Sequence, residues 1–156
     1  MKQTPEEAGV AARMAPGVLT QHGFLGRDLR SLPEILLDDE AEVEYLGTTH
    51  AELAARLREV LDAAMAGLGA PVLIADRLSA VYREAMGRIP CPWGHGRLLP
   101  KGEIDVADRL TGHAFRFTPL SVHMVAAHGF YEGHGSRYRL EPAVLCHVFS
   151  LGRYAR

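Results

Sequence analysis

Six residues in the rear half of the chain are candidate metal ligands: Cys91 and His95 in Cys-Pro-Trp-Gly-His, then His113, His123, His128 and His134. A thiolate and neutral imidazoles are the donors zinc takes, three or four of them converging at about 2.0–2.3 Å. Cys91 and His95 have three residues between them, a spacing that a Pro/Gly loop can fold around one ion. His123 and His128 make a poorer pair. Five positions on a helix turn two side chains about 140° apart, whereas pairs at i,i+3 and i,i+4 share a face. Only fraying at the helix end would let His128 swing inward. No HExxH, paired CxxC or His-x-His occurs, so zinc or another transition metal is expected from residue types and not from a signature. The alternative is a set of partly buried, hydrogen-bonded histidines. His113, which alternates with Phe115 and Phe117, fits that alternative best.

Catalysis would need more. Cys91 is a candidate nucleophile if His95 or His123 stands close enough to lower its pKa. Pro90 and Pro92 stiffen its backbone, and Trp93 supplies a flat apolar wall for a ligand. Glu132, with His123 and a metal or thiolate, would suit hydrolytic or proton-transfer chemistry. Trp93 plugging the core is the structural counterpart of the pocket reading. Cys146 reads as a small packing residue.

A second stretch, Met124–Arg139, repeats the His-Gly-Phe found at residues 22–24. In the later copy, His128-Gly129-Phe130 fits a helix C-terminus: an imidazole near the exposed carbonyls, a left-handed glycine and an apolar clasp. Beyond it, Gly133 and Gly135 flank His134 and free backbone amides for a concavity. Ser136, Arg137 and Arg139 add donors, so this loop is a candidate ligand-binding nest for a small anion. It has neither the lysine nor the strand of a P-loop, and an ordinary surface loop is the competing account.

The elements that must hold these residues are marked by caps. Thr4-Pro5 with Glu7, Ser31 before Pro33, Thr49 with Glu52, and Thr118-Pro119 each announce a helix. The first helix should end near Met14. The second carries Leu32, Ile35 and Leu36 inward and Asp38, Asp39, Glu40, Glu42 and Glu44 outward to solvent. The third, about 50–67, has a clear apolar stripe through Leu53, Leu57, Val60, Leu61, Ala64 and Leu68, stopped by Gly67 and Gly69. The fourth runs from Pro119 to His128. A last helix, about 142–151, is closed by Gly152. Residues 71–86 suit either a helix through Leu78, Val81, Tyr82 and Ala85 or two short strands, and the helix is preferred. Residues 103–117 alternate around an Asp-Arg-Leu-Thr-Gly turn and predict a β-hairpin. The expected fold is α+β: four to five helices packed on a small antiparallel sheet that includes that hairpin.

With 156 residues, 47% hydrophobic and 23% charged, the chain suits one globular domain spanning 1–156. Its charge is uneven. Residues 1–75 hold 6 Lys+Arg and 12 Asp+Glu, a net −6; residues 76–156 hold 11 and 7, a net +4, with six of the 8 histidines. An acidic helical front and a basic, His-rich rear would attract each other within the fold, or the rear would meet a small anionic ligand, a protein partner or a second copy. No basic run is dense enough for nucleic acid. No apolar segment is long enough for a membrane, and an N-terminus with Glu6 and Glu7 and no apolar core predicts a cytoplasmic chain. Two cysteines fit reduced thiols. Arginines outnumber Lys2 and Lys101 heavily, as GC-rich bacterial genomes favour. Two functional readings follow: a small-ligand, anion or metal site in the rear half, or a non-enzymatic interaction or regulatory module, self-association being one form of it.

Overall fold

A computed structural model describes residues 2–156. In chain order its helices and strands are α1 (Pro5–Arg13), α2 (Leu32–Leu46), α3 (His50–Ala66), β1 (Val72–Ile74), β2 (Leu78–Arg83), β3 (Arg88–Pro90), β4 (Leu98–Pro100), β5 (Glu103–Asp108), β6 (Ala114–Phe117), α4 (Pro119–His128) and α5 (Pro142–Phe149). A 3-10 turn, Gly152–Tyr154, follows. The fold is α+β: five helices against a four-stranded antiparallel sheet in the order β1-β2-β5-β6, with a separate β3-β4 ribbon.

The capping residues act as their spacing requires. The Thr4 and Thr118 hydroxyls accept from the amides three residues on, each within a reciprocal capping box, and Ser31 and Thr49 cap α2 and α3 in the same sense. Asp108 closes the β5–β6 hairpin by accepting from Leu110 N–H at 3.1 Å and Thr111 Oγ1 at 2.5 Å, while Arg77 grips both its oxygens. The guanidinium and the turn hold the Asp108 carboxyl well below its usual pKa, although burial pulls the other way.

Residues 71–86 are not a helix. Leu78, Ala80 and Tyr82 alternate as buried positions on β2, and Val81, assigned above to the same helical face, lies on the opposite side of the strand. Pairing with β1 on one edge and β5 on the other satisfies the backbone of β2 and overrides its local helical preference. Asp39 is not solvated either. It is buried in an ion pair with Arg139 at 2.6 Å, joining the acidic front half to the basic rear. The last helix stops at Ser150, in the left-handed conformation, two residues before Gly152.

Two apolar clusters form the interior. One packs Leu53, Leu57, Leu61, Tyr82, Ile104 and Phe117 between α3, the sheet and α5, with the buried Cys146 among them. The other gathers Met14, Phe24, Ile35, Ile89, Phe130 and Cys91 beneath α1 and the β3-β4 ribbon. α4 serves both. Val122 and Val125 enter the first cluster, Leu120 and Met124 the second. A helix that is apolar nearly all round is one buried on more than one side. Its remaining positions carry His123 and His128. Truncating a fully buried stripe residue such as Leu57 to alanine would cost about 2–5 kcal/mol. No helix of the described residues is long and apolar enough to cross a membrane.

Candidate metal centre

Cys91 and His95 lie in the loop that closes the β3-β4 ribbon. Cys91 N–H donates to Arg97 C=O at 3.3 Å, and Gly94 N–H donates to Cys91 C=O at 2.9 Å, so the chain turns tightly at the cysteine. Gly94 and Gly96 both have positive φ, 82° and 72°, which carries His95 outward on a left-handed bend on either side. The loop is tied to α1 by Arg13, whose Nε donates to Pro92 C=O at 2.5 Å. The other two donors come from α4. His128 is its last helical residue; Gly129, at φ 61°, donates to Val125 C=O as in a left-handed glycine cap, and Phe130 N–H donates to Met124 C=O. The helix end is therefore fixed and not frayed.

Ribbon loop and helix bring Cys91, His95, His123 and His128 together, their ligand atoms all within 4.8 Å of one another. His95 Nε2 lies 2.9 Å from His128 Nε2 and 3.2 Å from His123 Nε2, and Cys91 Sγ lies 3.5 Å from His128 Nε2. A tetrahedral zinc ion with bonds of about 2.0–2.3 Å sets its nitrogens roughly 3.3 Å apart and its sulfur and nitrogens roughly 3.6 Å apart. These three spacings lie around those edges. The expected divergence of His123 and His128 is thus overcome. The loop brings His95 between them, so the two need not share a stripe.

Linear hydrogen bonds account for only part of this arrangement. A ring nitrogen has one in-plane direction, used either by a proton or by a lone pair. Here His95 Nε2 faces two other nitrogens, and His128 Nε2 faces both a nitrogen and a thiol. One linear hydrogen bond per contact does not satisfy that set, and the four donors could instead share one cation.

The electrostatics suit neutral donors. Burial first, then the neighbouring imidazoles His123 and His95, push the His128 pKa down to about 4, and His123 is lowered by burial, His95 and Arg97. Both shifts favour the unprotonated ring, whose lone pair can serve a metal. The Cys91 thiol is raised by burial, against which backbone hydrogen bonds from Trp93 and Gly94 and the charge of Arg13 act. A bound cation would complete its deprotonation. Trp93 lies flat on His128, ring centroids 4.0 Å apart and planes 5° from parallel, which fixes that imidazole's plane.

The remaining sequence candidates sit elsewhere. His113 pairs with His147 of α5 at 3.1 Å, and His147 in turn stacks on Tyr154 at 4.6 Å. His134 is exposed, its ring 3.6 Å from Glu141 and its N–H donating to Asp28 at 3.1 Å. Ser136 Oγ donates to Glu132 at 2.5 Å. Arg137 reaches Glu103 at 3.2 Å. Arg139 grips Asp39, Glu141 and the Glu132 carbonyl. The loop's backbone is spent as well: Gly133 N–H donates to Phe24 C=O and His134 C=O accepts from Arg27 N–H, both at 2.9 Å. The first His-Gly-Phe segment and the residues after it thus pair with the loop that follows the second. Both glycines have positive φ and both phenylalanines enter one cluster, but only the second copy ends a helix.

Sequence reasoning named all four convergent donors. It missed the β3-β4 strands that aim two of them, the Arg13 tether, and His147 as the partner of His113. Residues 88–90 and 98–100 alternate too briefly to announce a ribbon. No protein family, curated protein or solved structure matches the chain, so geometry alone carries the functional reading.

Proposed function

We propose that this protein binds one transition-metal ion, zinc by fit of donors and spacing, through Cys91, His95, His123 and His128. The supporting observation is that four side chains from two separate elements place their donor atoms within 4.8 Å of one another. Four protein ligands fill a tetrahedral shell, and a filled shell is that of a structural centre. The ion fastens the ribbon loop to the end of α4 and makes a non-enzymatic, metal-stabilised interaction module the leading reading. Copper(II) would compete for the same donors by intrinsic affinity, so metal supply also decides occupancy.

One observation favours a second reading. His95 is exposed and sits between two glycines of positive φ, so it is the ligand most easily released. Its departure would leave Cys91, His123 and His128 with a vacant position, the three-ligand arrangement of catalytic zinc and of metal-assisted hydrolysis.

Mass-spectrometric metal analysis of untagged protein tests the proposal. About one equivalent is expected, falling sharply in Cys91→Ser and His123→Ala. Less than about 0.2 equivalents of any transition metal, with no rise in melting temperature on adding zinc, would remove it. His95→Ala separates the readings: retained metal with new hydrolytic activity favours the open site, and lost metal the closed one.

A further inference from the structure

A cavity of about 340 Å³ lies between the first His-Gly-Phe segment, the end of β4, the start of α4 and the loop after it, and none of the four metal-site donors lines it. Its buried wall is Phe24, Ile89, Leu120 and Glu132; His22 and Lys101 stand at the exposed side. That volume falls in the range of small-molecule sites, and apolar walls with few polar groups are their usual lining.

Glu132 is the unusual member. It is only 4% exposed, and its backbone is left-handed at φ 68°, a conformation a glutamate rarely takes. Burying a carboxyl and straining its backbone at one residue is unfavourable twice over, where an apolar side chain would avoid the first cost. One carboxyl oxygen takes the Ser136 hydroxyl at 2.5 Å. The other takes no hydrogen bond from the protein. No fully buried side-chain polar atom lacks a partner among the described residues, so that second oxygen opens on the cavity. Desolvation raises the carboxyl to about 7, against the opposing pull of Ser136 and Arg139.

The other charged and titratable groups around it come from every side. His22 and Lys101 line the cavity from the loops opposite. Arg137 and Tyr138, from its own loop, are held by Glu103. Arg139 donates to the Glu132 carbonyl at 2.8 Å. Lys101 has no carboxylate partner among the described residues. The balance is one buried carboxyl group and one cation without a carboxylate partner, lining a hollow whose wall is about equally polar and apolar.

We propose that this cavity binds a small organic acid with an apolar body, its carboxylate hydrogen-bonded to the Glu132 carboxyl group and balanced by Lys101. The apolar part lies against Phe24, Ile89 and Leu120. A carboxylate arriving while Glu132 is ionised takes up one proton from solvent, which then lies between the two carboxyl groups. Binding is therefore coupled to protonation, and affinity falls as pH rises.

Calorimetric titration of the full-length protein with benzoate, beside benzyl alcohol and benzylamine, tests this. Benzoate binds more tightly than benzyl alcohol at pH 6, and its affinity drops about tenfold or more by pH 8.5. Glu132→Gln, which keeps a donor but cannot ionise, flattens that dependence. His22→Gln, which removes the one imidazole of the lining, leaves it intact. Lys101→Met, an exposed change with little risk to folding, weakens benzoate and spares benzyl alcohol. The proposal is overturned if benzoate binds no better than the alcohol at pH 6, or if benzylamine is preferred. An unchanged pH dependence in folded Glu132→Gln, or an unchanged benzoate affinity in Lys101→Met, overturns it equally.

Discussion

Two stretches of this chain resemble each other on paper: the ribbon loop Cys91–Arg97, and the loop Glu132–Arg139. Each mixes histidine, glycine and arginine, and each invites a ligand. In the folded protein they differ in where their donors go. The amides, hydroxyl and guanidinium groups of the second loop are consumed by Phe24, Asp28, Asp39, Glu103, Glu132 and Glu141. The thiol and imidazole of the first, with the two imidazoles of α4, make their side-chain hydrogen-bond contacts with one another and with no other side chain among the described residues. Composition nominates a site, but unspent donors make one. The second loop is better understood as a clamp holding the two halves of the chain together.

The contrast predicts opposite behaviour under mutation, and the largest effect belongs to the clamp. Arg139→Ala leaves Asp39 buried without its cation and should lower stability by about 3–5 kcal/mol, with zinc stoichiometry unchanged in the folded fraction. Chemical denaturation and metal analysis on one sample check both halves of that statement. At the centre, zinc at about a thousandfold excess over its dissociation constant should stabilise the native state by about 4 kcal/mol. Cys91→Ser should abolish that gain, as a melting series would record.

Glu132 gives a smaller effect with a definite sign. Its folded pKa, about 7, lies above the ordinary 4.5, so between those values the native state holds more protons than the unfolded chain. Stability should therefore fall as pH rises from about 4.5 to about 7, by about 3 kcal/mol in all, and level off above. Glu132→Gln should remove that component from the stability–pH curve. Trp93→Leu, which deletes the stack on His128, should weaken zinc binding about tenfold while leaving its stoichiometry at one. Smallest is Arg137→Ala. Its ion pair with Glu103 is half exposed and contributes less than about 1 kcal/mol, so a larger loss would give this end of the clamp more weight than its exposure allows.

The helices were legible because a helix announces itself locally. Thr4, Ser31, Thr49 and Thr118 each mark a start within four residues of sequence, and Gly129 marks a stop. Residues 78–83 were not, because Leu78, Val81 and Tyr82 satisfy a helical face nearly as well as a strand. What decides between them is pairing with β5, more than twenty residues away in sequence. The burial of Asp39 was hidden for the same reason, since its partner lies 100 residues on.

The candidate centre was legible as a set of residue types and illegible as a shape. The five-residue spacing of His123 and His128 argued against convergence, and it would have held if both had to reach the ion from one helical face. His95, delivered by a ribbon too short to read in advance, removed that requirement. Glu132 was visible as a lone acid in a glycine-rich loop, but its cavity needs Phe24, Ile89 and Leu120 from three distant segments.

X-ray absorption at the zinc edge of the zinc-loaded protein tests the central claim most directly. One sulfur neighbour at about 2.3 Å and three nitrogens at about 2.0 Å are the result this geometry predicts. A shell without sulfur, or one of oxygen neighbours alone, would mean that Cys91, His95, His123 and His128 do not share an ion.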